Sequence, residues 1–428
     1  MNRKKIARLL LISLIFIIFS GCWSRKEIET LAFVTMLGVD KEGSDLLVTA
    51  QIALPESGGE NGGGANEPGV WNVIGRGKTI GEAHHDLTRF VGRQIFLSHV
   101  RAIIIGEELA KAGITEIIDY FNRHWQFRGT HWVAVAKGKA NDIMQVESKL
   151  TTMPALYIND MFVNADETSL APKVTFLDFV RQMVSTAKCQ PYAPVLHLFN
   201  VEKGRKNEFT QQPLQEGMGQ QESEGEDSGT GQNGAPAEAL SLEQVAVFKG
   251  DRLVGWLNEE ETRGLLWIQG KVSRGTMVLK DTFFGSGTIT LLSTFARSKV
   301  VVKPKGESVK IDIFISQEGN LLEQTVGVDF SAPENTEVLN QRVAALIKRE
   351  TEAVLFKLQK QLNSDIAGIG IAVREQQPEI WANLNWEEEF SDVEINIHVA
   401  ANLRRTGEII WPGYKEKPWK AKTMPKNW

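Results

Sequence analysis

Residues 31–39 are Leu31-Ala-Phe-Val-Thr-Met-Leu-Gly-Val39, an almost uninterrupted apolar run. A second run, Asp45-Leu-Leu-Val-Thr-Ala-Gln-Ile-Ala53, follows after a short polar segment. Apolar runs of this length, separated by a turn, are typical of buried β-strands. We therefore predict a strand pair here, with residues 41–44 as its turn.

Alternating strands and helices are predicted after this pair. Residues 79–90 have helical spacing, with Ile80, Ala83, Leu87 and Phe90 on one face. A second helix is predicted at 114–123. Strands are predicted at 70–75, 100–105 and 132–136. This alternation is typical of a mixed α/β region.

Beyond residue 240, the sequence predicts a β-hairpin at 245–257 with Lys249-Gly-Asp251 as its turn. Ser331-Ala-Pro-Glu334 has the spacing of a capping box, so we expect a long helix from there to about Asn363. Further strands are predicted at 276–280, 288–294, 298–303, 308–315 and 393–399. The fold class is therefore α+β or mixed α/β, with mixed sheets, packed helices and a long C-terminal helix against a sheet.

The chain is predicted to contain several domains. Residues 215–239 contain six Gly and six acidic residues but no Lys or Arg, a composition that cannot bury enough apolar surface to fold. We expect a disordered acidic, glycine-rich linker at 204–240, between an α/β region of two subdomains at 22–203 and an α/β domain at 241–407. A basic and aromatic tail at 408–428 completes this division.

The N-terminus has the layout of an export signal. A basic start precedes an apolar run from Leu9 to Phe19, which is shorter than the roughly 20 residues that span a bilayer. Phe19-Ser-Gly-Cys22 resembles a bacterial lipobox, in which the cysteine receives a diacylglycerol. We predict a signal peptide at 1–21 and lipidation of Cys22. The alternative is a plain signal peptide with a chance cysteine.

Composition excludes several classes of protein. The 428 residues are 42% hydrophobic and 24% charged, which excludes a disordered chain and a polytopic membrane protein. The formal net charge of −5 argues against nucleic acid as the main partner. Two cysteines cannot supply a disulfide framework.

No motif for catalysis or metal binding is evident. Gly77-Lys-Thr79 lacks the glycine that a phosphate-binding loop requires at position 72, and the seven histidines form no His-Glu-x-x-His pattern. A Gly-x-Ser-x-Gly elbow is absent. We therefore expect no enzymatic activity, no metal and no cofactor.

Charged residues near predicted strands and helices are the remaining candidates. His99 and Arg101 precede an apolar strand, Glu107 begins the next helix, and Arg128 lies beside Trp125 and Phe127. They fit either ion pairs at a sheet edge or a cleft for a charged metabolite. The tail from Arg404 to Trp428 fits an anionic membrane surface, an acidic partner or a disordered terminus.

Several segments together resemble the Ger(x)C family of spore germination lipoproteins. They occur in order over about residues 21–407 and comprise Gly21-Cys-Trp23, Leu37-Gly-Val-Asp40, Ser98-His-Val-Arg101, Ile103-Ile-Ile-Gly-Glu-Glu-Leu-Ala110, Asp119 to Arg128, Val245-Ala-Val-Phe-Lys-Gly-Asp251, Gly255-Trp-Leu-Asn-Glu-Glu-Glu-Thr-Arg-Gly-Leu-Leu-Trp267 and Asp365-Ile-Ala-Gly-Ile-Gly370. Each motif is weak alone, but the ordered set is specific.

The resemblance implies a non-enzymatic C subunit of a nutrient germinant receptor. Such a subunit is lipid-anchored at the outer face of the spore inner membrane and acts with two polytopic subunits, A and B. Contact with a small-molecule germinant stays open. The matched motifs supply seven candidates for partner or ligand contact: His99, Arg101, Glu107, Arg128, Trp256, Glu261 and Arg263. The rivals are a substrate-binding lipoprotein of an uptake system and an envelope hydrolase.

Overall fold

The structure is a computed structural model. It describes residues 27–54, 69–146, 151, 153–200, 238–280 and 287–405. The predicted signal peptide, Cys22 and the tail at 408–428 lie outside these residues. So does the predicted linker at 204–240, except for its last three residues, which begin a strand.

The first sheet contains nine strands. They are β1 (Leu31–Glu42), β2 (Asp45–Ala53), β3 (Val70–Gly77), β4 (Gln94–Phe96), β5 (Ala102–Ile105), β6 (Trp132–Ala136), β7 (Tyr192–Asn200), β8 (Glu238–Lys249) and β9 (Arg252–Leu257). Their order is β3-β2-β1-β5-β6-β7-β8-β9, and the short β4 also pairs with β1. The predicted pair β1–β2 and the predicted hairpin β8–β9 are both present.

The centre of this sheet is parallel, and its flanks are antiparallel. Strands β1, β5, β6 and β7 run in one direction, whereas β2, β3, β8 and β9 join through antiparallel pairs. All four residues of β5 are buried. Parallel strands are usually covered on both faces, which explains this continuous apolar segment.

Helices cover the first sheet. They are α1 (Ile80–Val91), α2 (Glu107–Ala112), α3 (Thr115–Arg123), α4 (Ala140–Met144), α5 (Pro154–Val163) and α6 (Phe176–Met183). The side chain of Thr79 caps α1, and Ile80, Ala83 and Leu87 are buried as predicted. Phe90 was expected on the same face but is 56% exposed. It lies in the last turn, just before Gly92 ends the helix in the left-handed conformation.

The second sheet has four strands in the order β10-β11-β12-β13. Their bounds are β10 (Gly275–Leu279), β11 (Ile289–Lys305), β12 (Ser308–Gln324) and β13 (Glu394–Arg405). The predicted strands at 288–294 and 298–303 are one continuous strand, β11. Register shifts at Thr290/Leu291 and Ser293/Phe295 break the alternation of its side chains, so the sequence pattern resembles two strands.

The remaining helices are α7 (Glu259–Ile268), α8 (Pro333–Phe356), α9 (Ile369–Gln376), α10 (Pro378–Trp381) and α11 (Trp386–Glu389). The long helix α8 packs against β13 and α7, and a π-helical turn extends it to Leu362. Its start differs from the prediction. Ala332 is the N-cap residue without a side-chain cap, because the hydroxyl of Ser331 bonds Asp329 at 2.6 Å instead.

The two sheets are joined through the segment after α8. The hydroxyl of Ser364 donates to the carbonyl of Phe248 in β8 at 2.6 Å, and the Gln190 N–H donates to the carbonyl of Asp365 at 2.9 Å. Strands β8 and β9 complete the first sheet, although they follow residue 237 in the chain. The sheet therefore extends past the predicted domain limit at 240, and the domain limits stay a prediction.

Candidate functional site

The seven predicted residues fall into three places. His99, Arg101 and Arg128 lie near the amino ends of β5 and β6, and Glu107 follows the carboxyl end of β5. Trp256, Glu261 and Arg263 lie on β9 and α7. The structure therefore does not gather the predicted residues into one site.

His99 belongs to an aromatic cluster at the start of the sheet. Its ring centroid is 5.2 Å from that of Phe33 and 5.5 Å from that of Phe96. Arg101 is fixed through its backbone, because its N–H donates to the Thr35 carbonyl and its carbonyl accepts from the Trp132 N–H, both at 2.8 Å. Both side chains are exposed, so they are available for contact with another molecule.

Arg128 lies in the loop that enters β6. Its N–H donates to Nε2 of His131 at 3.4 Å, and Nδ1 of His131 lies 2.5 Å from the Val100 carbonyl oxygen. Burial lowers the pKa of His131. This buried histidine therefore holds the loop against the start of β5, whereas the Arg128 side chain is exposed.

Glu107 begins α2, as predicted. Its Oε2 accepts from the Gly138 N–H at 3.1 Å, and its other oxygen pairs with Lys111 at 2.7 Å. These contacts join α2 to the end of β6. Glu107 and the pair His99 and Arg101 occupy opposite ends of β5, so they do not form one ligand cleft.

Glu261 completes a capping box at the start of α7. Asn258 Oδ1 accepts from the Glu261 N–H at 2.9 Å, and Glu261 Oε2 accepts from the Asn258 N–H at 2.8 Å. The same carboxylate pairs with Lys357 at 2.6 Å, which links α7 to the end of α8. Trp256 is half-buried on β9, opposite Ala246.

Arg263 forms a bidentate pair with Glu350 of α8. Its Nε donates to Oε2 at 2.9 Å, and its Nη2 donates to Oε1. Trp267 Nε1 donates to the same Oε2 at 3.0 Å. Burial opposes the charge on Arg263, but the hydrogen bonds to Glu350 and the negative charges of Glu350, Glu260 and Glu259 together outweigh it and raise the pKa of the guanidinium. Arg263 therefore fastens two helices together.

A cleft of about 900 Å³ lies beside this pair. Basic and acidic side chains both line it: Glu167, Glu259, Glu260, Arg263, Lys280, Arg342 and Arg349. The Arg349 guanidinium lies 3.9 Å from Glu260 across the cleft. Such a lining suits a ligand or a partner segment that carries both charges.

Among the described residues, five buried acids are not among the seven predicted candidates: Asp40, Glu243, Asp312, Glu350 and Asp365. Asp365 accepts from the N–H groups of residues 368–370 and from Trp386 Nε1, at 2.7–3.0 Å. Asp40 accepts from the N–H groups of Ala140 and Asn141 at the start of α4, at 2.8 and 3.0 Å. Burial raises the pKa of both carboxyls. Asp365 alone carried a sequence signal, because it is a single acid directly before the apolar segment Ile366-Ala-Gly-Ile369.

Within the described ranges, no group of three His, Cys, Asp or Glu side chains could hold a metal ion. Among those same residues, no helix is both long and apolar enough to cross a membrane.

Two family models match the chain. One is described as the spore germination protein N-terminal domain and matches residues 24–198. The other is described as spore germination B3/GerAC like, C-terminal, and matches residues 243–407. Together they cover about four fifths of the sequence. The chain belongs to the Ger(x)C family of spore germination proteins.

Individual relatives agree with this assignment. Spore germination protein KC of Bacillus subtilis (strain 168) is 25% identical over 94% of this chain and 95% of its own length. Spore germination protein B3 of the same organism is 22% identical over 91% of this chain and 95% of its own length. Both relatives are similar to this chain over nearly its whole length.

A solved structure has the same fold. The crystal structure of the GerBC protein superposes with a TM-score of 0.50, covering 88% of this chain and 99% of that chain, at 18% sequence identity. The predicted mixed α/β architecture is thus confirmed. The family is one of spore germination proteins and is not a known enzyme family.

Proposed function

We propose that the protein is the lipid-anchored C subunit of a nutrient germinant receptor. It acts with two polytopic subunits, A and B, at the outer face of the spore inner membrane, where an acylated Cys22 holds it. The observation that carries this proposal is the match of two germination-family models, in order, along most of the chain.

The α7–α8 contact gives this subunit a rigid frame. Arg263 forms an ion pair with Glu350, and Glu261 forms one with Lys357. We propose that they act indirectly, by holding α7 and the neighbouring Trp256 in place for partner contact. The mixed-charge cleft beside them is the proposed place for a charged segment of a partner subunit.

The uptake-lipoprotein alternative is less well supported. A two-lobed substrate-binding protein requires two similar lobes around one cleft. This chain instead combines a nine-stranded sheet with a four-stranded sheet. The unequal sheets therefore favour the receptor proposal.

The direct functional test is a strain from which this chain is deleted. Its spores should lose dipicolinate release in response to the nutrient that the receptor serves, while release after a nutrient-independent trigger stays normal. The full chain should restore the response, and so should the surface variant Glu352→Ala. An unchanged nutrient response to every nutrient tried would overturn the proposal.

A further inference from the structure

The start of β1 and the end of α1 lie at the same end of the first sheet. Strands β1 and β4 are parallel, and their register pairs Leu31 with Gln94. The short 3₁₀ helix Ile28–Thr30 precedes β1, and the last turn of α1 precedes β4. Parallel strands begin at one edge, so these two segments are neighbours.

The loop before β6 joins the same end. Gln126 Oε1 accepts from the N–H of Leu97, the residue that follows β4, at 2.7 Å. His131 contacts the carbonyl of Val100 at 2.5 Å. Residues 124–131 therefore lie beside the carboxyl end of β4 and the amino end of β5, one short strand further along β1 than Leu31. We call the surface formed by residues 28–30, 89–93, 99–101 and 124–128 the anchor-proximal end.

Large apolar side chains project from the anchor-proximal end. Ile28 is 73% exposed, Phe90 56% and Trp125 73%. Ile28 lies just before β1, Phe90 lies four residues before β4, and Trp125 adjoins Gln126, which bonds the residue after β4. Apolar and aromatic side chains in such a position are suited to the boundary between lipid headgroups and acyl chains.

Exposed arginines accompany these apolar side chains. Arg93, Arg101 and Arg128 are exposed, and in the described part of the chain none of them forms an ion pair. Arg89 and Arg123 are paired with Asp86 and Asp119. The unpaired arginines outnumber Glu27 and Glu29 at this end, and Arg25 and Lys26 precede it in the sequence. The surface thus complements anionic headgroups.

The length of the chain before β1 fixes which side faces the membrane. Five residue steps separate Cys22 from Glu27. Even fully extended, they span at most about 18 Å. A lipid on Cys22 therefore keeps the 3₁₀ helix at Ile28 close to the bilayer, whereas the β1–β2 turn lies at the other end of a twelve-residue strand.

We infer that the anchor-proximal end rests on an anionic phospholipid bilayer. Phe90 and Trp125 lie at headgroup depth, and Arg93, Arg101 and Arg128 contact lipid phosphates. This orientation directs the opposite end of the first sheet away from the membrane. The inference depends on the proposed lipidation of Cys22.

The test uses the full lipidated chain in vesicles of phosphatidylcholine and phosphatidylglycerol. Phe90→Cys and Trp125→Cys variants each receive an environment-sensitive fluorophore, and Lys41→Cys, beside the β1–β2 turn, is the matched control. Burial raises the pKa of Cys189 to about 12, so its thiol should escape labelling. Vesicle flotation reports anchoring separately.

Spin-labelled lipids should quench the fluorophore at positions 90 and 125 but not at position 41. The double variant Arg93→Glu/Arg128→Glu should lose this quenching yet still float, whereas Lys41→Glu should keep both properties. Flotation without quenching at 90 and 125 would overturn the orientation alone. Loss of flotation would overturn the anchor and the inference with it. If the fluorophores at positions 90 and 125 are shielded in spore membranes but not in vesicles, this end contacts a protein partner. That result would overturn the membrane contact.

Discussion

Arg263 and Glu350 form a bidentate ion pair between α7 and α8, with Nε 2.9 Å from Oε2. The Glu350 side chain is fully buried, and that of Arg263 is 17% exposed. A charge in this position is stable only while its partner is present, because water cannot replace the lost hydrogen bonds. The pair therefore secures the position of α7 on the long helix.

Removing one member of this pair should destabilise the protein strongly. We expect Glu350→Ala to lower the free energy of unfolding by about 3–5 kcal/mol, since Arg263 and Trp267 lose their common acceptor. The midpoint of urea denaturation of the full chain measures this. Glu352→Ala, on the exposed face of the same helix, should change stability by less than about 0.5 kcal/mol. Equal midpoints for both variants would contradict this role of Glu350.

Gly264 permits the close approach of the same two helices. A Cβ atom at this position would overlap the backbone carbonyl of Glu350. Backbone cannot yield as a flexible side chain does, so Gly264→Ala should cost about 1–3 kcal/mol. Gly327→Ala is the matched control, because open space surrounds that position. Thermal unfolding of both variants checks the prediction, and a normal melting temperature for Gly264→Ala would refute it.

The pair of Arg263 and Glu350 shows what the sequence could and could not predict. The apolar spacing of residues 79–90 and the glycine turn between β8 and β9 are local signals, and both predicted the correct elements. The partner of Arg263 lies 87 residues along the chain, so only the folded packing of α7 on α8 identifies Glu350. The spacing of Ser331 and Glu334 was also misleading, because it indicates a capping box. The Ser331 hydroxyl bonds Asp329 instead.

His84 should make stability depend on pH. Burial, with smaller effects from His124 and His85, lowers its pKa to about 4, and its ring nitrogen bonds the hydroxyl of Tyr120. Between about pH 6.5 and 4 the unfolded chain therefore binds more protons at this residue than the folded chain does. Stability should fall as the pH drops through this window, by about 1–2 kcal/mol after solvent screening.

The His84 contribution can be isolated by substitution. Denaturation midpoints at pH 7 and pH 4.5 should differ less in His84→Gln than in the unmodified chain. His85→Gln, on the exposed side of α1, should keep most of the difference, because His85 contributes only a small part of the shift. If His84→Gln keeps it as well, His84 is not the group responsible.

Cys22 should determine membrane attachment. Since two acyl chains give stable anchoring, Cys22→Ala should shift the protein from the membrane fraction to the soluble fraction and weaken nutrient germination. Cys189→Ala is the control, because that thiol is buried within the fold. Fractionation of spore lysates measures the distribution. Full membrane retention of Cys22→Ala together with a normal nutrient response would refute the lipid anchor.

The central claim is that this chain is one subunit of a membrane receptor. Its most direct test is purification of the tagged full chain from dormant-spore membranes in mild detergent, with the bound proteins identified by mass spectrometry. We predict recovery of two polytopic germination subunits. Recovery of a permease with its ATPase, without those subunits, would contradict the claim.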